Sequence, residues 1–316
     1  MTTSEVRSIW DYVGTALLVA IFILGAAAFT RTTFDVFAAS VTSSVIVGNA
    51  TPSVTSVVLN AGSAITLTSN ATTSFNIGYT ISDNNGCSDI TGARTTTTVF
   101  RSGASGSCAT ATPTASNLNC YVYVTHTTSS CSGTSLNATD TVQIFYFGQA
   151  TDASSSFESQ DWAAFVIVAD GSGATSSATS THVELNTLTA IDVTTSSINY
   201  STVAAGSNTG ATNQIATSTN AGNSSTTLQL RASATLVSGS NSIATSSQRF
   251  ATSTFTFPGG ATQLTDSNVT VTGFLLTSPT STTTVADEVF WGLEIPNGTA
   301  TGTYTGTNAF TSLFQP

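Results

Sequence analysis

Phe75-Asn76-Ile77-Gly78-Tyr79-Thr80-Ile81 alternates apolar and small or polar residues without a break. At a period of two, Phe75, Ile77, Tyr79 and Ile81 fall on one face of a β-strand, and that face must cover a core. Two further runs, 142–147 and 162–168, are apolar on both faces, which suits central strands covered on each side. Gly, Asn and Ser clusters punctuate these runs at short intervals from Thr51 onward, and helix-capping signals are nearly absent. The chain reads as all-β.

Seven or eight candidate strands fit between Thr51 and about Val183, and a second series follows around 198–203, 212–219, 226–234, 250–257, 269–276, 289–295 and 303–310. In the sixth of these, Val289, Trp291, Leu293 and Ile295 share a face, so a large aromatic is expected in a core between two sheets. Seven strands is an immunoglobulin-like number. The length of 316 residues fits two domains. The expected architecture is two tandem immunoglobulin-like β-sandwiches preceded by one apolar helix. Residues 1–30 form a signal peptide or membrane anchor, 31–49 a linker, 50–185 a disulfide-bearing sandwich and 186–316 a second sandwich.

Only 7% of the residues are charged, against about 25% in ordinary globular chains. There is no lysine, the only basic side chains besides two histidines are six arginines, and the net charge is -10. Such a chain has no basic surface to neutralise phosphates, so nucleic-acid binding is excluded. The apolar stretch 12–30 is about the length that spans a bilayer as a helix. As a signal peptide it has small residues at Ala26-Ala27-Ala28 and a second cut near Ala38-Ala39, with a poor positive start of Arg7 beside Glu5 and Asp11. As an uncleaved anchor it makes the membrane a partner. Export follows from either reading.

Cys87, Cys108, Cys120 and Cys131 are the only cysteines, and their irregular gaps lack the paired C-x-x-C spacing of a zinc site. In an exported chain they are expected to form two disulfides. Of the three pairings, Cys87–Cys108 with Cys120–Cys131 closes short neighbouring loops and is the expected one. Seven N-x-[ST] sequons, at Asn49, Asn70, Asn137, Asn199, Asn223, Asn268 and Asn297, arise readily in a chain this rich in Asn, Ser and Thr.

Two segments of the second half resemble a known pattern. Asn199-Tyr200-Ser201-Thr202-Val203-Ala204-Ala205-Gly206-Ser207, followed by Thr219-Asn220-Ala221-Gly222-Asn223, is similar to the FGxVxxG…NtGN pattern of immunoglobulin-like modules in bacterial and archaeal surface proteins. The stretch 294–307, with Pro296-Asn297-Gly298-Thr299 and Gly302-Thr303-Tyr304-Thr305-Gly306-Thr307, resembles the last hairpin of such modules. In the first half, 81–89 and 168–173 resemble the turn and last-strand motifs of PKD-like extracellular sandwiches. The first half departs from that pattern in its four cysteines. The resemblance covers most of 51–316 and implies a fold and a surface location rather than an activity.

Catalytic groups are poorly supplied. His126 and His182 are the only histidines, neither neighbours a G-x-S-x-G elbow, and no lysine can act as a base. Glu158, Asp161 and Glu184 have no spacing that marks a glycosidase pair. Cofactors are not expected, with one exception. Asp83, Asn85 and Asp89 alternate with small residues, and with Asp170 they offer the oxygens that calcium takes; Asp152 and Asp161 are further candidates at the same end. No glutamate closes a twelve-residue loop, so ordinary Asx turns are the reading the spacing favours. Trp162, Tyr121 and Tyr123 are candidates to stack on a glycan, with sheet packing as their competing role.

The expected function is therefore that of an exported or membrane-tethered structural or adhesive protein of the cell surface. The alternative is a module that binds glycans or envelope proteins through its loops.

Overall fold

The alternating run becomes the middle of a long strand. β1 (Ser53–Leu59) pairs with β2 (Thr72–Ser82), and Phe75, Ile77, Tyr79 and Ile81 of β2 are all buried. β3 (Arg94–Arg101), β4 (Cys120–Thr128), β5 (Ser135–Phe145), β6 (Trp162–Ala169) and β7 (Thr175–Thr179) complete one antiparallel sheet, in the order β1-β2-β5-β4-β3-β6-β7. This computed structural model describes residues 3–29, 40–90, 94–104 and 118–315, without the side chains of 3–9, 27–29 and 94.

β4 is the corner of that sheet. Cys120 to Val122 pair with β3, Tyr123 to Thr128 pair with β5, and the register slips between Tyr123 and Thr125. A bulge bends its strand and raises the local twist. The sheet folds over, β1 comes to lie beside β6 and β7, and Leu59, Ile77, Val142, Ile144, Trp162 and Val166 fill the enclosed space. The first half is thus one continuous folded sheet among the described residues, where two separate sheets were expected.

The second half is built from two sheets. β8 (Ile191–Val193), β9 (Gln214–Asn220), β12 (Gln248–Ala251), β13 (Thr262–Gln263) and β15 (Ala286–Leu293) make one, in the order β13-β12-β15-β9-β8. β10 (Ser225–Ser238) pairs with β11 (Asn241–Ile243), β14 (Val269–Thr270) and β16 (Thr305–Gln315) to make the other. Leu228 and Leu230 from β10 meet Phe250 of β12 and Val289 and Trp291 of β15 in the core between them.

Three expected strands are shorter or missing, each for a local reason. Residues 198–203 are irregular because Ser201 adopts φ 56° and its N–H bonds the Asn199 side chain at 2.9 Å, an Asx turn that interrupts pairing. The expected strand 269–276 ends at Thr270, since Gly273 turns at φ 83°, although Phe274 and Leu276 still enter the core. The expected strand 250–257 is reduced to β12, with Phe255 and Phe257 buried from irregular backbone.

All ladders among the named strands stay within 53–179 or within 191–315. The two halves are nevertheless closely joined. Val183 bridges Trp162, Leu185 bridges Ile65 in parallel, and both joint residues are buried. Beyond the joint, Asn223 donates to Gly148 O at 2.9 Å and to Asn186 O at 3.2 Å, while its own side-chain oxygen accepts from Leu188 N at 2.6 Å. Gly222 packs so tightly there that a β-carbon would stand 2.0 Å from Leu188 O, backbone that cannot step aside. Asn223 is a buried sequon, closed to glycan attachment in the folded chain.

Residues 1–48 and 49–316 form separate compact units. The first contains α1 (Thr3–Phe29), whose described side chains, 10–26, are all exposed. Among the described residues no helix is long and apolar enough to cross a membrane. The apolar stretch of the sequence runs past them to Thr30. Of the expected linker, 40–49 carries no regular structure and 31–39 lies outside the described residues.

Candidate functional site

The chemistry-bearing residues of the first half gather where β2 and β6 end. Asp83 follows β2, Asp89 lies in the short α2 (Cys87–Ile90), and Asp170 follows β6. Turns 81 to 87 residues apart in sequence meet because the sheet folds over and brings β1, the partner of β2, beside β6. One carboxylate oxygen from each of the three lies within 4.8 Å of the others. Asp83 is 2% exposed and Asp170 5%.

Hydrogen bonds hold most of this cluster in place. Asp170 Oδ1 accepts from the N–H groups of Ser172 (2.9 Å) and Ala174 (2.8 Å), and Oδ2 accepts from Asn49 Nδ2 at 2.8 Å. Chiefly through the Asn49 amide, Asp170 is held below the usual carboxylate range. Asp83 Oδ1 accepts from Asn85 N–H at 2.7 Å. Asp83 Oδ2 is buried and accepts no hydrogen bond among the described residues. Asn85 turns its side-chain oxygen to Ala50 N–H at 2.5 Å, so this expected ligand fastens the first residues of the folded body. The two further candidates lie elsewhere: Asp152 accepts from Thr187 N–H and Oγ1, and Asp161 faces His182 at 3.6 Å.

A disulfide locks the acidic turn. Cys87 is bonded to Cys131 across a Cα–Cα distance of 5.5 Å, within the usual span. The expected pairing of neighbours is overturned. In the β2–β5 ladder Ser82 stands opposite Ser135, which brings Asp83 N–H to Thr134 O and Cys87 N–H to Gly133 O. Register across the sheet places residue 131 beside residue 87, although 44 residues separate them. Cys120 is also disulfide-bonded, and Cys108 lies outside the described residues.

A second polar cluster gave no signal in the sequence. Asp140 of β5 is fully buried. Its Oδ2 accepts from Tyr79 OH at 2.9 Å and from Thr97 Oγ1, and its Oδ1 faces His126 Nδ1 at 2.5 Å. His126 and Asp140 stand directly opposite in the β4–β5 ladder, a cross-strand pair that only the register reveals. Burial first, then the Asp140 charge, pushes the Tyr79 phenol up from its ordinary range. Three polar partners on one buried carboxylate make a satisfied core network, in which neither hydroxyl is poised as a nucleophile because both donate to Asp140.

Two of the three aromatic stacking candidates are core residues, and Tyr123 is half-buried against the same core. Trp162 is fully buried with Nε1 donating to Gln149 O at 2.9 Å, and Tyr121 is 6% exposed. Tyr123 donates its hydroxyl to Thr95 O at 3.2 Å. A groove at the seam of the halves is lined by Phe147, Phe157, Asn223, Pro279 and Phe314 among others, and none of its lining residues is charged. Compared with known proteins, the chain matches no family model and no curated protein.

Proposed function

We propose that this is an exported structural protein of the cell surface, without catalytic activity, built from one folded seven-stranded sheet followed by an immunoglobulin-like two-sheet sandwich. Its apolar start serves as the export signal, either cleaved or kept as a membrane anchor. The Cys87–Cys131 disulfide carries the reading, because such bonds persist in oxidising compartments and are rare in the cytosol. The uncharged, Ser- and Thr-rich composition supports it, as does the apolar α1 with Trp10, Leu17, Phe22 and Leu24 all exposed. Burial of Trp162 and Tyr121 speaks against the glycan-stacking alternative.

Antibody labelling of intact cells tests the location. Labelling without permeabilisation is expected, together with a mature N-terminus at Met1, after Ala28 or after Ala39. Labelling that appears only after permeabilisation, with the chain in the cytosolic fraction, would refute export.

A further inference from the structure

Three carboxylates with oxygens within 4.8 Å repel one another strongly when two of them are almost out of water. Asp170 is relieved by three donors, two amides and Asn49. Asp83 is not: its Oδ2 is buried and receives no donor among the described residues, which is costly for a carboxylate. The chain has no lysine, and the arginine that register brings closest is Arg94, whose backbone pairs with Ala169 beside Asp170. Gly171 adds a steric observation. A β-carbon there would stand 2.9 Å from Asp89 Oδ1, so the backbone after Asp170 gives way to that carboxylate.

We propose that Asp83, Asp89 and Asp170 bind one calcium ion at the end of the first half where Asn49 and Ala50 enter the fold. The ligand chemistry is hard oxygen only, since Cys87 is committed to its disulfide and no histidine belongs to the cluster. Calcium takes six to eight oxygens at about 2.3–2.6 Å in adaptable geometry, so oxygens across the ion stand about 4.6–5.2 Å apart. Magnesium demands near-ideal octahedra and keeps its waters. An ion here ties together the turn after β2 and the turn after β6. The same two turns hold Asn49 through Asp170 and Ala50 through Asn85, so calcium stiffens the entry of the chain into the folded body.

The test uses the full chain in detergent, stripped with a chelator and titrated with calcium chloride by calorimetry. One ion per chain is expected, and millimolar calcium raises the melting temperature by several degrees, more than magnesium chloride does, because only the folded state binds. Asp83→Asn weakens calcium binding at least tenfold, and Asp192→Asn, exposed on β8, leaves it unchanged. Gly171→Ala keeps every carboxylate and no positive φ forbids it, yet it displaces Asp89 and also weakens binding about tenfold. This second variant decides the matter should Asp83→Asn fail to fold. A wild-type chain indifferent to calcium overturns the proposal; so does an affinity that both variants leave intact.

Discussion

Replacing Cys87 and Cys131 together by alanine is expected to cost about 4 kcal/mol of stability, the chain-entropy value for a loop closed over 44 residues. For a folded body of this size that corresponds to a fall of roughly 10 °C in melting temperature. The bond constrains the unfolded chain, and in the folded one it pins the turn between Asp83 and Asp89 to the β4–β5 loop. Dithiothreitol, which also opens the disulfide of Cys120, should cost the wild type at least as much and leave the variant only the smaller loss that the second bond accounts for. A calorimetric scan in which the double variant melts within 2 °C of the wild type would mean that the turn is held by its backbone bonds alone.

Trp291→Ala is expected to lose about 3–5 kcal/mol, the range for deleting a large buried aromatic. Trp291 is fully buried at the centre of the second half, with the rings of Phe250 and Phe310 at 5.7 and 5.9 Å between centroids. Its indole Nε1 is buried without a partner among the described residues. Trp291→Phe therefore removes an unsatisfied donor along with some volume, and its loss is expected near 1 kcal/mol. Denaturant midpoints of the two variants separate packing from hydrogen bonding. Equal losses would show that the indole nitrogen has a role that its surroundings do not provide.

Strand content was legible wherever side chains alternate over a covered face. Phe75 to Ile81 and Val289 to Ile295 are buried as their period implies, although Leu293 and Ile295 join a smaller cluster with Ile243. Short strands such as β11 and β13 carry no periodic signal, because two or three residues cannot show a period. The acidic cluster was partly legible. Asp83, Asp89 and Asp170 announced themselves by turn chemistry at strand ends, whereas Asn85, Asp152 and Asp161 found backbone or local partners that composition cannot foretell. The disulfide partner of Cys87 and the His126–Asp140 pair were hidden for one reason. Both depend on the register between β5 and its neighbours, a long-range property that spacing along the chain does not encode.

The bulge in β4 belongs to the same class. Nothing about Tyr123-Val124-Thr125 distinguishes it from ordinary strand sequence, yet that slip turns an open sheet into a closed core. The Asn220-Ala221-Gly222-Asn223 segment is the reverse case. Its residues stood out in the sequence as part of a motif, and the structure gives them a physical task. Asn220 donates to Ser224 O and Thr277 O, Gly222 admits the Leu188 carbonyl, and Asn223 ties the second half to Gly148 of the first.

The central claim, an oxidised and exported β protein, is tested most directly by trapping thiols with a maleimide in living cells and mapping the disulfides of the recovered chain. Trypsin, cutting at arginine, leaves Cys87 in 32–94 and the other three cysteines in 102–231; a second cut at Tyr121 and Tyr123 separates Cys120 from Cys131. The account predicts a Cys87–Cys131 cross-linked peptide and no maleimide on either residue. Maleimide on both Cys87 and Cys131 in freshly made, folded protein would contradict it.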